Sequence, residues 1–162
     1  LNGGMPMPSW YDIIDLSSPR QINQAELDHS SQSVITLIEA EREAGIPLER
    51  IILAGFSQGG AVVLHTAFIA YHEEVGGVMA LSTYGPTFEE GVTLNEKKSK
   101  IPTLHLHGTA DPVVLPQFGR AAYQFLSERG INAKWHEYPM QHEVIQPEIA
   151  DIARWLMAQL TD

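Results

Sequence analysis

Apolar and polar positions along the chain follow two kinds of pattern, and the two kinds alternate. Short segments that are continuously apolar, or that alternate apolar with polar residues, predict β-strands; they cover residues 50–56, 77–82, 103–107 and 133–138. Longer segments with apolar residues three and four apart predict helices; they cover residues 25–44, 58–71, 116–129 and 147–160. Because strands and helices take turns, the sequence predicts an α/β fold, a mostly parallel sheet flanked by helices, in a single domain of residues 1–162.

One predicted strand runs directly into a cluster of glycines around a serine. The sequence IILAGFSQGGAV (residues 51–62) contains the pattern G-x-S-x-G between a strand and a helix. This context is typical of a nucleophile elbow, a strained turn that presents a serine hydroxyl above a sheet. We expect Gly55 and Gly59 to be required because a side chain two residues from Ser57 would obstruct the turn. Gly60 would let the helix approach the sheet. A glycine-rich turn without catalytic function gives the same short pattern.

A serine nucleophile needs a base, and the base needs a carboxylate that orients it. In the hydrolase arrangement the chain order is serine, acid, histidine. Asp111 follows the predicted strand 103–107, and His142 follows the predicted strand 133–138. Since both lie beyond the carboxyl ends of parallel strands, where open α/β sheets place their sites, we predict a catalytic triad of Ser57, His142 and Asp111. Each partner alone has a simpler interpretation, Asp111 as a turn former and His142 as a surface residue.

Other polar residues could form a metal site or supply a different acid, but the sequence supports these alternatives less well than the triad. His105 and His107 lie two apart on one predicted strand, so they project to the same face and resemble a pair of metal ligands. No third ligand lies near them in the sequence. Packing in the core or behind a site is therefore favoured, and we expect neither a metal nor an organic cofactor. Asp12 precedes Ser57, which is the wrong order for the acid of such a triad.

Composition and charge narrow the classes of function. Acidic residues outnumber basic ones by 20 to 10, and the formal net charge of −10 argues against binding to nucleic acid or to an anionic membrane. The one basic run, residues 97–100, is predicted to be a solvated surface loop. The chain has no cysteine, which excludes disulfides, thiolate zinc sites and a cysteine nucleophile. This is compatible with a reducing compartment, and the cytoplasm is the expected location. No apolar stretch reaches the roughly 18 residues of a membrane-spanning helix.

Five segments, taken in order, resemble the acyl-protein thioesterase and bacterial carboxylesterase family of α/β-hydrolases, the phospholipase/carboxylesterase group: MPSWYDI, RIILAGFSQGGAV, GGVMALSTYGPT, IPTLHLHGTADPVV and WHEYPMQHEV. The resemblance covers essentially the whole chain. It implies that Ser57 accepts the acyl group, that His142 acts as general base and acid, and that Asp111 orients the imidazole. It also implies that the backbone N–H of Gln58 stabilises the oxyanion. Apolar or pocket-facing candidates near the acyl chain are Trp10, Phe56, Thr83, Tyr84 and Val114.

The resemblance breaks down on the N-terminal side. Family members carry strands and a His-Gly loop, the source of a second oxyanion donor, before the P-S-W-[YF]-D segment, whereas here little precedes Ser9. We therefore expect the strand 50–56 to lie at an exposed sheet edge and the oxyanion hole to lack one donor. Either the missing part of the sheet lies outside this sequence, which we favour, or the chain is a short form that covers its edge as a homo-oligomer.

Taken together, these features predict a serine carboxylesterase that hydrolyses short to medium acyl esters through an acyl-enzyme on Ser57. The expected partner is a small-molecule ester or acyl-thioester, and the sequence does not separate the two. Acidic surroundings and neutral pocket candidates favour uncharged acyl chains. The alternative is a binding or scaffold protein on a hydrolase fold, inactive or weakly active because its oxyanion hole is incomplete.

Overall fold

The computed structural model of the protein describes residues 6–15 and 21–161. A short antiparallel pair of strands comes first, β1 (Ile13–Asp15) and β2 (Gln21–Ile22). A parallel sheet of four strands follows, whose members lie side by side in chain order: β3 (Ile52–Phe56), β4 (Gly77–Leu81), β5 (Thr103–Gly108) and β6 (Ala133–Tyr138). The α-helices of the described ranges are α1 (Gln24–Glu43), α2 (Gln58–His65), α3 (Pro116–Glu128) and α4 (Gln146–Leu160).

The predicted strands and helices are confirmed, with ends that agree to within two residues everywhere except in the helix 58–71. There α2 ends at His65 and the chain continues as a π-helical turn, Thr66–Ala70. Asn23 begins α1 as its N-cap, because its side-chain oxygen accepts the N–H of Glu26 at 3.3 Å. Across residues 6–15 and 21–161, no helix combines the length and the apolar character needed to cross a bilayer.

The sheet is covered on both faces, as the apolar strands require. Successive residues of a strand point to opposite faces. Val78 and Ala80 of β4 pack in a cluster with residues of α1, α2 and α3. Met79 and Leu81 pack on the other face with Trp155 of α4. This two-sided burial explains why the strands read as continuous apolar runs.

The strand that leads to the serine lies at one edge of the sheet. β3 pairs with β4 in parallel, with Gly55 opposite Ala80. On its other side β3 has no neighbouring strand among the described residues. Ala54 and Phe56 are exposed there. The exposed edge predicted for this strand is therefore present in the structure.

The basic run 97–100 was predicted to be a solvated surface loop, but one of its lysines is buried. It forms a 3₁₀ turn, Glu96–Lys100, in which Lys98 is 2% exposed. The Lys98 Nζ donates hydrogen bonds to the carbonyl oxygens of Tyr71, at 2.8 Å, and Glu73. Burial lowers the pKa of the Lys98 ammonium to about 8, although nearby Glu74 and Glu73 act in the opposite direction. Lys98 therefore binds the 3₁₀ turn to the chain that follows the π-helical turn, while the neighbouring residues of the run are exposed.

Candidate active site

Ser57 occupies a strained turn between β3 and α2. Its backbone has φ 53° and ψ −122°, a left-handed conformation that costs free energy for a residue with a side chain. Hydrogen bonds hold the strain in place: the Ser57 N–H donates to the carbonyl oxygen of Leu81 at 2.8 Å, and its carbonyl oxygen accepts the Thr83 hydroxyl at 2.5 Å. Ser57 is the N-cap of α2, yet its side chain makes no capping hydrogen bond. The hydroxyl is therefore left for another partner.

Two of the three glycines around the serine are required by close backbone approach. A Cβ on Gly55 would overlap the carbonyl oxygen of Gly59. A Cβ on Gly60 would lie 2.6 Å from the Cβ of Thr83. The expectation that Gly59 must also lack a side chain is wrong. A Cβ there would meet only the indole nitrogen of Trp10, at 3.7 Å, which is an ordinary contact.

The imidazole of His142 lies between the serine and an aspartate. His142 Nε2 is 2.9 Å from Ser57 Oγ, and Nδ1 is 2.7 Å from Asp111 Oδ2. Because an ionised carboxylate only accepts, the imidazole proton belongs on Nδ1, which leaves the Nε2 lone pair facing the hydroxyl. The loops that follow β3, β5 and β6 thus bring the three predicted residues together at one edge of the sheet. In this arrangement an imidazole can take the proton of the hydroxyl.

Asp111 is the most enclosed member of the group, with a side chain that is 0% exposed. Its Oδ1 accepts the N–H groups of Val113, at 2.8 Å, and Val114, at 2.9 Å. Burial acts to raise the pKa of the Asp111 carboxyl, but the hydrogen bonds from His142, Val114 and Val113 outweigh it, so the pKa lies below its ordinary value. The carboxylate is therefore ionised and able to stabilise a positive charge on the imidazole.

A cavity opens beside the serine hydroxyl. Its lining residues are Pro8, Ser9, Trp10, Phe56, Ser57, Gln58 and Gly59. Two of the predicted pocket residues, Trp10 and Phe56, are among them. The Phe56 ring also lies against the His142 imidazole, with ring centroids 4.7 Å apart. Two aromatic side chains therefore line part of this cavity.

The structure does not bring the other predicted pocket residues into this cavity. Tyr84 and Val114 are buried in an apolar cluster with Tyr11. The Tyr84 and Tyr11 hydroxyls are hydrogen-bonded to each other. Thr83 is also buried, and its hydroxyl is engaged by the Ser57 carbonyl oxygen. All three side chains are buried, and Thr83 supports the elbow through its hydrogen bond to Ser57.

Gln58 has a second set of contacts that the sequence did not reveal. It is the first residue of α2, so its backbone N–H has no acceptor within the helix, which suits the predicted oxyanion role. Its side chain, in addition, hydrogen-bonds the backbone of Trp10 and Tyr11. The motif G-F-S-Q-G carries no signal for these contacts, since they join segments far apart in the chain.

His105 and His107 pack in the core, as predicted, with their rings beside Trp135. Both are 1% exposed. In the part of the chain that the structure describes, no three His, Asp or Glu side chains are grouped so that they could hold a metal ion.

Known proteins share this arrangement of strands and helices. The crystal structure of Zea mays acyl-protein thioesterase 2 superposes with a TM-score of 0.83 and 25% identity, over 98% of this chain and 75% of that one. The fold is that of an α/β-hydrolase. The family profile described as Phospholipase/Carboxylesterase matches residues 1–160. The chain belongs to this phospholipase/carboxylesterase family.

Two curated relatives agree with that assignment. Acyl-protein thioesterase 1 homolog 1 of Dictyostelium discoideum is 42% identical over 136 residues, which are 83% of this chain and 60% of that protein. Acyl-protein thioesterase 1 of Mycosarcoma maydis is 40% identical over 173 residues, covering 96% of this chain and 71% of that protein. The chain thus spans between 60% and 71% of the length of these two relatives.

Proposed function

We propose that the chain carries the catalytic residues of a serine hydrolase that cleaves carboxylic esters or thioesters. The observation that supports this most strongly is the position of His142, whose imidazole lies within hydrogen-bonding distance of both Ser57 Oγ and Asp111 Oδ2. A purely structural turn does not need a strained serine whose hydroxyl makes no capping hydrogen bond. Nor does it need an imidazole placed between that hydroxyl and a buried carboxylate. The names of the relatives, acyl-protein thioesterases, point to the same chemistry.

The proposed reaction assigns a role to each residue of the site. His142 Nε2 takes the proton of the Ser57 hydroxyl while Oγ attacks the acyl carbonyl carbon. The negative charge that develops on the carbonyl oxygen is stabilised by the Gln58 N–H and the positive end of α2. The imidazolium, held by Asp111, then protonates the leaving alcohol or thiol as its bond to the acyl carbon breaks. Water, deprotonated by the same imidazole, releases the acid and restores Ser57.

The cavity supports an uncharged acyl group of short to medium length. Trp10 and Phe56 provide apolar walls next to Ser57. No Lys or Arg lies in the lining of this cavity within the described residues, so a negatively charged acyl chain would have no counter-ion there. Oxygen esters and thioesters present the same acyl group to this site and differ only in the leaving atom.

The test is hydrolysis of p-nitrophenyl acetate and butyrate, and of the butyryl thioester of a small neutral thiol, by the full-length protein and by Ser57→Ala. We expect Ser57→Ala to lose at least about 10³-fold in kcat on every substrate that the wild type hydrolyses. Ser82→Ala is the matched control, because Ser82 also has a positive φ at the end of a neighbouring strand and its buried Oγ has no partner in the described residues.

Three outcomes are distinguishable. Loss in Ser57→Ala alone supports the proposal. Equal loss in both variants, or full activity in Ser57→Ala, overturns it. A folded wild type that hydrolyses none of the substrates favours the scaffold alternative.

A further inference from the structure

His107 lies four residues before the aspartate, at the carboxyl end of β5, and is held rigidly in the core. Its imidazole is stacked on Trp135, with ring centroids 5.7 Å apart and an interplanar angle of 22°. On the other side, α3 approaches so closely that a Cβ on Gly119 would overlap His107 Nδ1. Together β5, the Trp135 ring and α3 restrict the His107 imidazole to one orientation. A buried polar ring fixed this way calls for a hydrogen-bonding partner.

That partner belongs to the acid loop. His107 Nε2 lies 2.8 Å from the carbonyl oxygen of Val114. Since a carbonyl only accepts, Nε2 carries the proton and donates it, which fixes the tautomer. The N–H of the same residue, Val114, donates to Asp111 Oδ1 at 2.9 Å. One residue therefore links the imidazole to the carboxylate.

Both imidazoles lie close to the same oxygen of this carboxylate. His142 Nδ1 is 2.7 Å from Asp111 Oδ2, and His107 Nε2 is 3.6 Å from the same oxygen. The longer distance is an electrostatic contact and not a hydrogen bond. Burial lowers the pKa of His107, although its hydrogen bond to Val114 and the nearby Asp111 act in the opposite direction. A neutral His107 leaves the negative charge of Asp111 to His142.

We infer that His107 is a positioning residue for the acid: through Val114 it fixes the Asp111 carboxylate so that Oδ2 faces His142. The inference rests on the proposed function and extends it by one residue. His107 touches neither substrate nor the reacting atoms, so its effect passes through Asp111. Small displacements of a catalytic group are costly, because about 1 Å of misplacement can reduce the rate by about 10²-fold.

The experiment compares two variants of His107 with one of His105, using p-nitrophenyl butyrate. His107→Phe keeps an aromatic ring against Trp135 but removes the donor to Val114. We expect it to lower kcat by about 10- to 100-fold and to leave KM within about twofold of the wild type. His107→Gln, whose amide nitrogen can reach the same carbonyl oxygen, should recover a large part of that loss.

His105→Phe is the matched control. His105 is equally buried on the same strand, contacts the same Trp135, and has an Nε2 without a partner in the described part of the chain. Within the described residues His105 has no contact with Asp111, so kcat should stay within about twofold of the wild type. If His105→Phe loses as much as His107→Phe, the effect is one of core packing and the inference is wrong.

A second experiment tests whether the effect of His107 on the rate passes through the Asp111 carboxylate. In an Asp111→Asn background, His107→Phe should cost little further activity, because the group that it positions is already lost. Full additivity there, or an unchanged kcat in His107→Phe, overturns the inference. Should His107→Phe fail to fold, His107→Leu, which also removes the donor to Val114, makes the same comparison alone and combined with Asp111→Asn. The proposed function fails separately, through activity that persists in Ser57→Ala.

Discussion

Gln58 holds Trp10 beside the serine. The Gln58 Oε1 accepts the backbone N–H of Trp10 at 3.0 Å, and its Nε2 donates to the carbonyl oxygen of Tyr11 at 2.6 Å. The carbonyl oxygen of Trp10 accepts a further hydrogen bond from the Ser30 hydroxyl of α1. The residue that follows the proposed nucleophile therefore also fixes a wall of the cavity. Its backbone and its side chain have separate roles, which mutation can separate.

The first prediction follows from that division. Gln58→Leu removes both side-chain hydrogen bonds but keeps the backbone N–H, so we expect KM for p-nitrophenyl butyrate to rise by about 3- to 10-fold, with a smaller change in kcat. Trp10→Ala should have a similar effect. The double variant should be little worse than either single one, because both lose the same wall. A large loss of kcat with an unchanged KM would contradict this role of the side chain.

A second prediction separates two adjacent glycines. Gly60→Ala brings a Cβ within 2.6 Å of Thr83, and we expect it to lower the free energy of unfolding by about 1–3 kcal/mol. Gly59→Ala meets only Trp10 Nε1 at 3.7 Å, and within α2 it should leave stability unchanged or raise it by about 0.5–1 kcal/mol. Urea unfolding measures both. The reverse order of stabilities would show that the packing around the elbow is described wrongly.

The third prediction concerns the buried Lys98. Its pKa is lowered to about 8 from 10.5, so between these two pH values the unfolded chain binds a proton that the folded chain does not. Stability therefore rises with pH across that window, by a contribution on the order of 1–3 kcal/mol. Lys98→Met should lack this contribution. Lys97→Met, at an exposed position of the same turn, should keep it. Identical pH slopes of the unfolding free energy in Lys98→Met and the wild type would refute the assignment.

The sequence predicted most of the fold because each core strand and helix is long and strongly patterned. Ser57, Asp111 and His142 were brought together by one topological rule, since loops at the carboxyl ends of parallel strands share an edge. That rule needs only the order of the strands. A separate observation, the lack of a third ligand nearby in the sequence, predicted that His105 and His107 pack in the core, where they lie.

The sequence did not predict which individual side chains of a segment are buried or which glycines lie in close contact with other atoms. The run 97–100 reads as uniformly basic, and only the 3₁₀ turn directs Lys98 to the carbonyl groups of a distant segment. The glycine pattern does not tell which glycine meets backbone, so Gly59 was wrongly grouped with Gly55. The family resemblance suggested Tyr84 and Val114 as pocket residues, but their burial depends on packing in a cluster with Tyr11.

The most direct test of the central claim is covalent labelling by a fluorophosphonate, located by peptide mass spectrometry. The account predicts one label per folded chain, on Ser57, and a labelling rate that falls by at least about 10²-fold in His142→Ala. A wild-type protein that is folded but takes no label on Ser57, or a His142→Ala variant that is labelled there as fast as the wild type, would contradict it.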